Sequence, residues 1–209
     1  GRATKSGLRK RMDLVMEAFQ LAFPFQQDVR LEIKCSKECQ IHPPEDDRII
    51  LIRDELSQRK MAAWYQSLST YVSGSCGEGF GLSLLESMAC GRPVIATRHG
   101  GHAEFHDQEA GYVLCHTMVP AAGMYTGMGL WAEPGLWSMA DAMRAVHRYQ
   151  ADAATRGVAA AERAREYTWD RCARGVIAAM ESSEIFDIRK RRVPTEWLPA
   201  HKRIIETPP

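Results

Sequence analysis

Residues 77–101 read GEGFGLSLLESMACGRPVIATRHGG, and the fold follows from how this stretch is parsed. A turn of small residues, with Gly74, Ser75, Gly77, Gly79 and Gly81, opens a short apolar helix that carries Glu86. Gly91-Arg92-Pro93 stops that helix, since glycine and proline both punctuate regular structure. Val94-Ile-Ala-Thr97 then reads as a buried strand that runs out at Gly100-Gly101. Two carboxylates, Glu78 and Glu86, bracket the helix start with seven residues between them. A strand–turn–helix–strand unit of this kind gathers backbone N–H groups and a helix N-terminus at a sheet edge, where phosphates and sugars bind.

Outward from that stretch, strand and helix patterns alternate. Met12, Val15, Met16, Phe19, Ala22 and Phe23 recur at helical spacing, and Pro24 ends the helix. Residues 29–34 alternate apolar with charged and form a strand. Pro43-Pro44 and the acidic residues 45–47 mark a surface loop, and the apolar run 48–52 is a second strand, expected to be central. Ser57 caps a helix whose core face is Met61, Trp64, Tyr65 and Leu68, and residues 70–73 lead as a strand into the central stretch. After Gly101 come a brief helix at 102–105 and a strand at 111–115. Residues 117–135, rich in Gly, Met, Ala and Pro, read as a long loop, and loops of that length are frequently functional. The pattern is helical from Leu136, through an Ala-rich segment at 151–166, to a last helix at 170–180 with Trp169 as a buried anchor. The tail from 184 to 209 is basic and Pro-containing and has little periodicity. The whole predicts an α/β domain over residues 1–183, a Rossmann-like three-layer unit with a mainly parallel sheet, followed by the tail. A doubly wound unit begins with a strand, and that first strand is expected to be absent.

Composition narrows the function. A chain of 209 residues can bury a full core. Its 27 basic and 26 acidic residues leave a net charge of +1, which argues against a nucleic-acid surface. No apolar run approaches the ~18 residues of a spanning helix. The N-terminus has no apolar segment of a secretory signal. Six scattered cysteines suit free thiols in a reducing cytoplasm, and a metal at Cys35, Cys39 and His42, or among His99, His102, Glu104 and His106, is not expected.

Glu86 lies inside the helix, and helical side chains lean toward the N-terminus, so its carboxylate can reach a ligand there. Such a group suits the two hydroxyls of a ribose, and like charge keeps it off a phosphate. Glycines at 79 and 81 let the backbone near Phe80, Gly81 and Leu82 approach a pyrophosphate or sugar. Read residue by residue, the stretch resembles the retaining GT-B glycosyltransferases of family 4. Their E-x7-E signature is matched from Glu78 to Glu86, and the likeness runs on through Ser87 to Thr97, the Gly100-Gly101 pair and Glu104. Gly1-Arg2 and Arg9-Lys10-Arg11 resemble the Gly-Arg…Lys-Gly segment that opens the family's donor domain.

The resemblance implies roles. Glu86 would hold the ribose of a UDP- or GDP-sugar, with Glu78 beside the transferred sugar and Glu104 near the donor. Gly79, Phe80, Gly81 and Leu82 would line the sugar and pyrophosphate. Arg2 and Lys10 would neutralise the diphosphate as it leaves, the task that fixed cations perform for developing negative charge. No cofactor or metal is implied, because those side chains supply the charge. The acceptor would be held by an N-terminal domain absent from this chain, so the isolated chain is expected to be inactive or nearly so. The sequence departs from the pattern at Arg11, where the family usually has glycine. The spacing from Arg2 to Lys10 is also long, leaving Lys5 and Arg9 as rivals to Lys10. Localisation is expected to be cytoplasmic; the basic run 189–192 reads as a solvated face or interdomain contact, with a peripheral contact at the inner membrane face as the alternative. The alternative function is a non-catalytic GT-B-like module that binds nucleotide or protein.

Overall fold

Two sequence periods build this chain, and both appear where the apolar residues dictate. The computed structural model describes residues 7–39 and 41–182. The first strands are β1 (Leu31–Lys34) and β2 (Ile49–Ile52), which pair in parallel with Leu31 opposite Ile49. A second ladder joins β3 (Tyr71–Val72), β4 (Val94–Thr97) and β5 (Gly111–Leu114), all parallel, with β4 in the middle. Every residue of β4 is buried, as expected of a continuously apolar strand covered on both faces. Helices α1 (Gly7–Lys10) and α2 (Met12–Ala22) precede β1, α3 (Gln58–Ser67) joins β2 to β3, and α4 (Leu82–Ala89) joins β3 to β4.

The core forms where the apolar stripes of the helices meet the strands. Helix α2 turns Leu14, Val15, Met16, Ala18, Phe19 and Ala22 inward. It packs against α5 (Leu136–Arg148), whose Met139, Ala140, Met143 and Val146 repeat at three and four residues. Both meet Ile33, Ile49, Ile95 and Leu114 from the strands. Each large side chain so buried contributes about 1.5–3 kcal/mol of transfer free energy. Helix α6 (Gln150–Ala164) follows after a break at Tyr149 and lies close to α4. Its Gly157 approaches Gly91 so closely that a Cβ there would stand 2.3 Å from the Gly91 carbonyl oxygen.

Four expectations change. Residues 117–135 are not one long loop: β6 (His116–Pro120) and β7 (Leu130–Pro134) form an antiparallel hairpin, with Thr117 opposite Glu133. Its glycines and methionines hide the strand pattern, and its burial falls mostly on β7, at Trp131, Ala132 and Pro134, with Trp131, Ala121, Val119 and Tyr125 clustered against Cys76. Strand β2 is not central: its sole partner among the described residues is β1, and Ile50 is 40% exposed, so its apolar run is covered on one face. The parallel strands form two ladders rather than one sheet. Trp169 is 81% exposed at the start of α7 (Trp169–Ser182), where a large ring in a first helical turn keeps most of its surface in water.

The chain divides into two compact units, Gly1–Glu166 and Tyr167–Pro209, so α7 belongs to the second. Arg2, Lys5 and the tail from 184 to 209 lie outside the described residues. No helix among the described residues is long and apolar enough to cross a membrane.

Candidate functional site

The loop from β3 to α4 is held by close backbone contacts. The carbonyl of Glu78 accepts the N–H of Gly101 at 3.0 Å, and Glu78 and Gly100 form a parallel bridge. Glycine is required at 101, because a Cβ there would lie 2.0 Å from the Gly79 carbonyl oxygen. Gly81 caps α4 with φ 92°, a left-handed conformation that a side chain would strain. Beside Gly77 and Gly79, by contrast, the space that a Cβ would occupy is open. Those two glycines are therefore not demanded by packing, and the loop presents bare backbone outward.

Two cations from the start of the chain converge on this loop. Lys10 Nζ pairs with Glu78 Oε1, and Arg9 Nη1 reaches the same oxygen at 3.3 Å. The Arg9 guanidinium also donates to the Gly77 carbonyl, and to Ser75 Oγ at 3.2 Å. In return the Arg9 carbonyl accepts the Cys76 N–H at 2.8 Å. The Glu78 side chain is only 12% exposed. Burial pushes its pKa up, but hydrogen bonds from Lys10 and Ser75, with the charges of Lys10 and Arg9, outweigh that and hold it below the usual carboxylate range. Two cations against one carboxylate leave a surplus positive charge at the loop.

Glu86 has a different partner. It projects from α4, exposed, and its Oε2 accepts the Tyr65 hydroxyl at 3.1 Å. The Tyr71 phenol links the two carboxylates: burial raises its pKa, a hydrogen bond with Ser83 opposes this, and the charges of both Glu78 and Glu86 add to the rise. Both carboxylates thus act on one ring between β3 and α4. Phe80 and Leu82 are exposed beside them, with the Phe80 ring centred 5.4 Å from that of Phe105. Glu104 is exposed at the end of a short 3-10 turn, Gly101–Glu104.

Of the expected site residues, Lys10 and Glu78 meet directly, Gly79 to Leu82 follow in the adjoining loop and helix start, and Arg2 lies outside the described residues. Three further residues take part. Arg9, a rival to Lys10 in the sequence, shares the Glu78 oxygen with it. Tyr65 read only as a core face, although a buried phenol generally needs a hydrogen-bond partner and that partner is Glu86. His102 is buried behind Gly81, its Nε2 2.7 Å from the Thr97 carbonyl oxygen and its Nδ1 without a partner among the described residues. Burial first, then the positive charges around it, lower its pKa, against the pull of the Thr97 carbonyl and Glu78. Among the described residues no three His, Cys, Asp or Glu side chains are grouped to hold a metal ion.

The chain is 33% identical over 131 residues to a D-inositol 3-phosphate glycosyltransferase of Pseudarthrobacter chlorophenolicus, a match covering 62% of this chain and 27% of that protein. It therefore spans about a quarter of the curated relative. Among solved structures, Anabaena HepE in complex with UDP and glucose superposes with a TM-score of 0.62 at 16% identity, over 84% of this chain and 46% of that one. The C-terminal domain of the group 1 glycosyl transferase LpcC of Francisella tularensis superposes with a TM-score of 0.56 at 20% identity, over 75% and 78%. These structural likenesses assign the fold, the Rossmann-like α/β half of a GT-B glycosyltransferase. Residues 1–123, more than half of the chain, match the family described as Glycosyl transferases group 1, and the chain belongs to that family.

Proposed function

We propose that this chain is the donor-binding domain of a retaining glycosyltransferase of family 4 type. In this reading it binds a UDP- or GDP-hexose and passes the sugar, with its anomeric configuration kept, to an acceptor held by a second domain outside these residues. The observation that carries the reading is the loop at 75–81. A carboxylate fixed by Arg9 and Lys10 adjoins bare backbone and the N-terminus of α4, and a second carboxylate projects from the same helix.

The residues divide the work by charge. Arg9 and Lys10, with Arg2, neutralise the diphosphate, since their sum exceeds the one negative charge of Glu78. Their fixed charge would stabilise the leaving nucleoside diphosphate without a metal or other cofactor. Glu86 takes the ribose hydroxyls; its carboxylate is already held by one phenol and has lone pairs to spare. Glu78, ionised at neutral pH, lies beside the transferred sugar, with Glu104 near it. Gly79, Phe80, Gly81 and Leu82 supply the backbone that lines sugar and pyrophosphate. The UDP and glucose bound by Anabaena HepE, on the same fold, support a nucleotide-sugar as ligand.

Calorimetric titration with UDP, GDP and ADP separates this from the non-catalytic module. Binding of UDP or GDP, with little or no sugar transfer by the chain alone, is expected. A folded sample that binds none of the three nucleotides would turn the reading toward the module, and robust transfer by the chain alone would remove the need for a second domain.

A further inference from the structure

We propose that Tyr65 is a positioning residue for ribose: its hydroxyl fixes the Glu86 carboxylate and so sets how sharply the chain separates a ribonucleotide from its deoxy form. This rests on the reading of Glu86 as the ribose ligand and goes one residue beyond it. Glu86 alone has little to aim it. It stands exposed on α4, and a glutamate in water has rotamer freedom to lose when a ligand arrives. The Tyr65 hydroxyl, donating to Oε2 at 3.1 Å, removes that freedom before binding. The phenol is itself held. Tyr65 is buried on α3, its ring centre 5.1 Å from that of Trp64 and 5.8 Å from that of Tyr71. Trp64 donates its indole N–H to Glu32 of β1 at 2.8 Å, which ties this turn of α3 to a strand. Cys90 Sγ, at the end of α4 and one turn beyond Glu86, lies 3.8 Å from the Ala62 carbonyl oxygen, one turn before Tyr65. The two helices thus meet along one stripe, with 62 and 65 facing 86 and 90.

Chemistry fixes the direction of the bond. Burial first, then the neighbouring Tyr71 and Glu86, raise the Tyr65 pKa, and a hydrogen bond with Ser83 opposes the rise. The phenol therefore keeps its proton at neutral pH and donates to the carboxylate. Ser83, one turn before Glu86, also bonds the Tyr71 phenol, so one α4 hydroxyl serves both rings. An ionised carboxylate has about four acceptor positions, and Tyr65 takes one of them. The others are left for the sugar, so Tyr65 orients Glu86 without competing for it. Specificity follows from the same bond. A site built to pair a substrate hydroxyl rejects the analogue that lacks it, because its own polar group is then left unpaired. A glutamate free to turn escapes that penalty by swinging into water. One tethered by Tyr65 does not, and an exposed side chain becomes a discriminating one. A phenol that merely packs α3 against α4 would instead affect the affinity for both nucleotides alike.

The test is titration calorimetry of the 209-residue protein with the better-bound of UDP and GDP, and with the 2′,3′-dideoxy form of the same nucleotide. The readout is the ratio of the two dissociation constants in the parent chain, Tyr65→Phe, Glu86→Ala and the double variant. Phenylalanine keeps the ring against Trp64 and Tyr71, and urea unfolding checks each fold. The parent should favour the ribonucleotide by about tenfold or more. Tyr65→Phe should lower that ratio by about threefold or more, through weaker binding of the ribonucleotide, with the dideoxy form held within about twofold. In the Glu86→Ala background the same substitution should leave the ratio unchanged. Equal weakening of both nucleotides, an unchanged ratio in Tyr65→Phe, or a further drop once Glu86 is alanine would overturn the proposal. The two readings fail differently. A ratio lost in Glu86→Ala but kept in Tyr65→Phe overturns the role of Tyr65 and leaves the donor site standing. A parent ratio near one, or a Glu86→Ala ratio equal to the parent's, removes the ribose assignment of Glu86 and the role of Tyr65 with it.

Discussion

Arg11 shows how one backbone angle carries information that a side chain conceals. It sits between α1 and α2 at φ 44°, ψ 48°, the sole non-glycine with positive φ among the described residues. The sequence marks this position only as a departure from the glycine that the resemblance implies there, and the left-handed conformation is one that glycine adopts without strain. Its side chain pairs with Asp13 and Glu133, but exposed pairs are weak. Arg11→Gly and Arg11→Ala both remove those pairs and differ only in backbone strain. The glycine variant should therefore be more stable than the alanine variant by about 1–2 kcal/mol in urea unfolding; equal stabilities would show that the position is not strained. Gly101 is the opposite case, since any Cβ meets the Gly79 carbonyl. Gly101→Ala should cost about 1–3 kcal/mol of stability and lower the melting temperature, whereas Gly79→Ala, with open space around it, should leave packing intact. A Gly101→Ala protein as stable as the parent would mean that the loop is slack.

At the scale of elements, the segment after β4 makes stability depend on pH. His106 is buried, with Nε2 3.1 Å from the Ala96 carbonyl oxygen; burial outweighs that bond and pushes its pKa down to about 4. An unfolded histidine titrates near 6.5, so between those values the unfolded chain binds more protons and stability falls as pH falls. His102 is shifted the same way. Urea midpoints should show full stability above about pH 6.5 and a loss on the order of 2 kcal/mol by pH 5. His106→Gln should shrink that loss, and a flat profile would contradict a buried neutral imidazole. These elements also mark what could be read from sequence. Helices α2 and α5 and strand β4 were legible because their apolar spacing matches one structural period. The loop–helix unit at 77–101 was legible because glycines and a proline punctuate it and its strand opens with the apolar run Val94-Ile-Ala96. The β6–β7 hairpin was not, since Gly127, Gly129 and the methionines obscure alternation and the buried residues of β7, Trp131, Ala132 and Pro134, do not alternate. The split into two ladders is a matter of pairing between distant strands, which local pattern does not encode. Arg9 and Lys10 are adjacent in sequence, and only the placement of α1 against the loop at 75–78 brings both to Glu78.

For the whole molecule, the proposed donor site draws on three separated segments: the stretch with Arg9 and Lys10, the Tyr65 face of α3, and the loop and helix at 75–86. All three lie in the unit Gly1–Glu166. The account therefore expects nucleotide binding without the second unit, and truncation after Glu166 should leave the dissociation constant for UDP or GDP within about threefold, about 0.6 kcal/mol. A larger loss would place part of the site in residues 167–209. The central claim is that Glu86 holds the ribose of a nucleotide-sugar. Its most direct measurement is the dissociation constant of the better-bound of UDP and GDP for the parent chain and for Glu86→Ala, by titration calorimetry at neutral pH. The account predicts a loss of about 1–3 kcal/mol, roughly 5- to 150-fold, with an unchanged fold. Equal dissociation constants in the two proteins would contradict it.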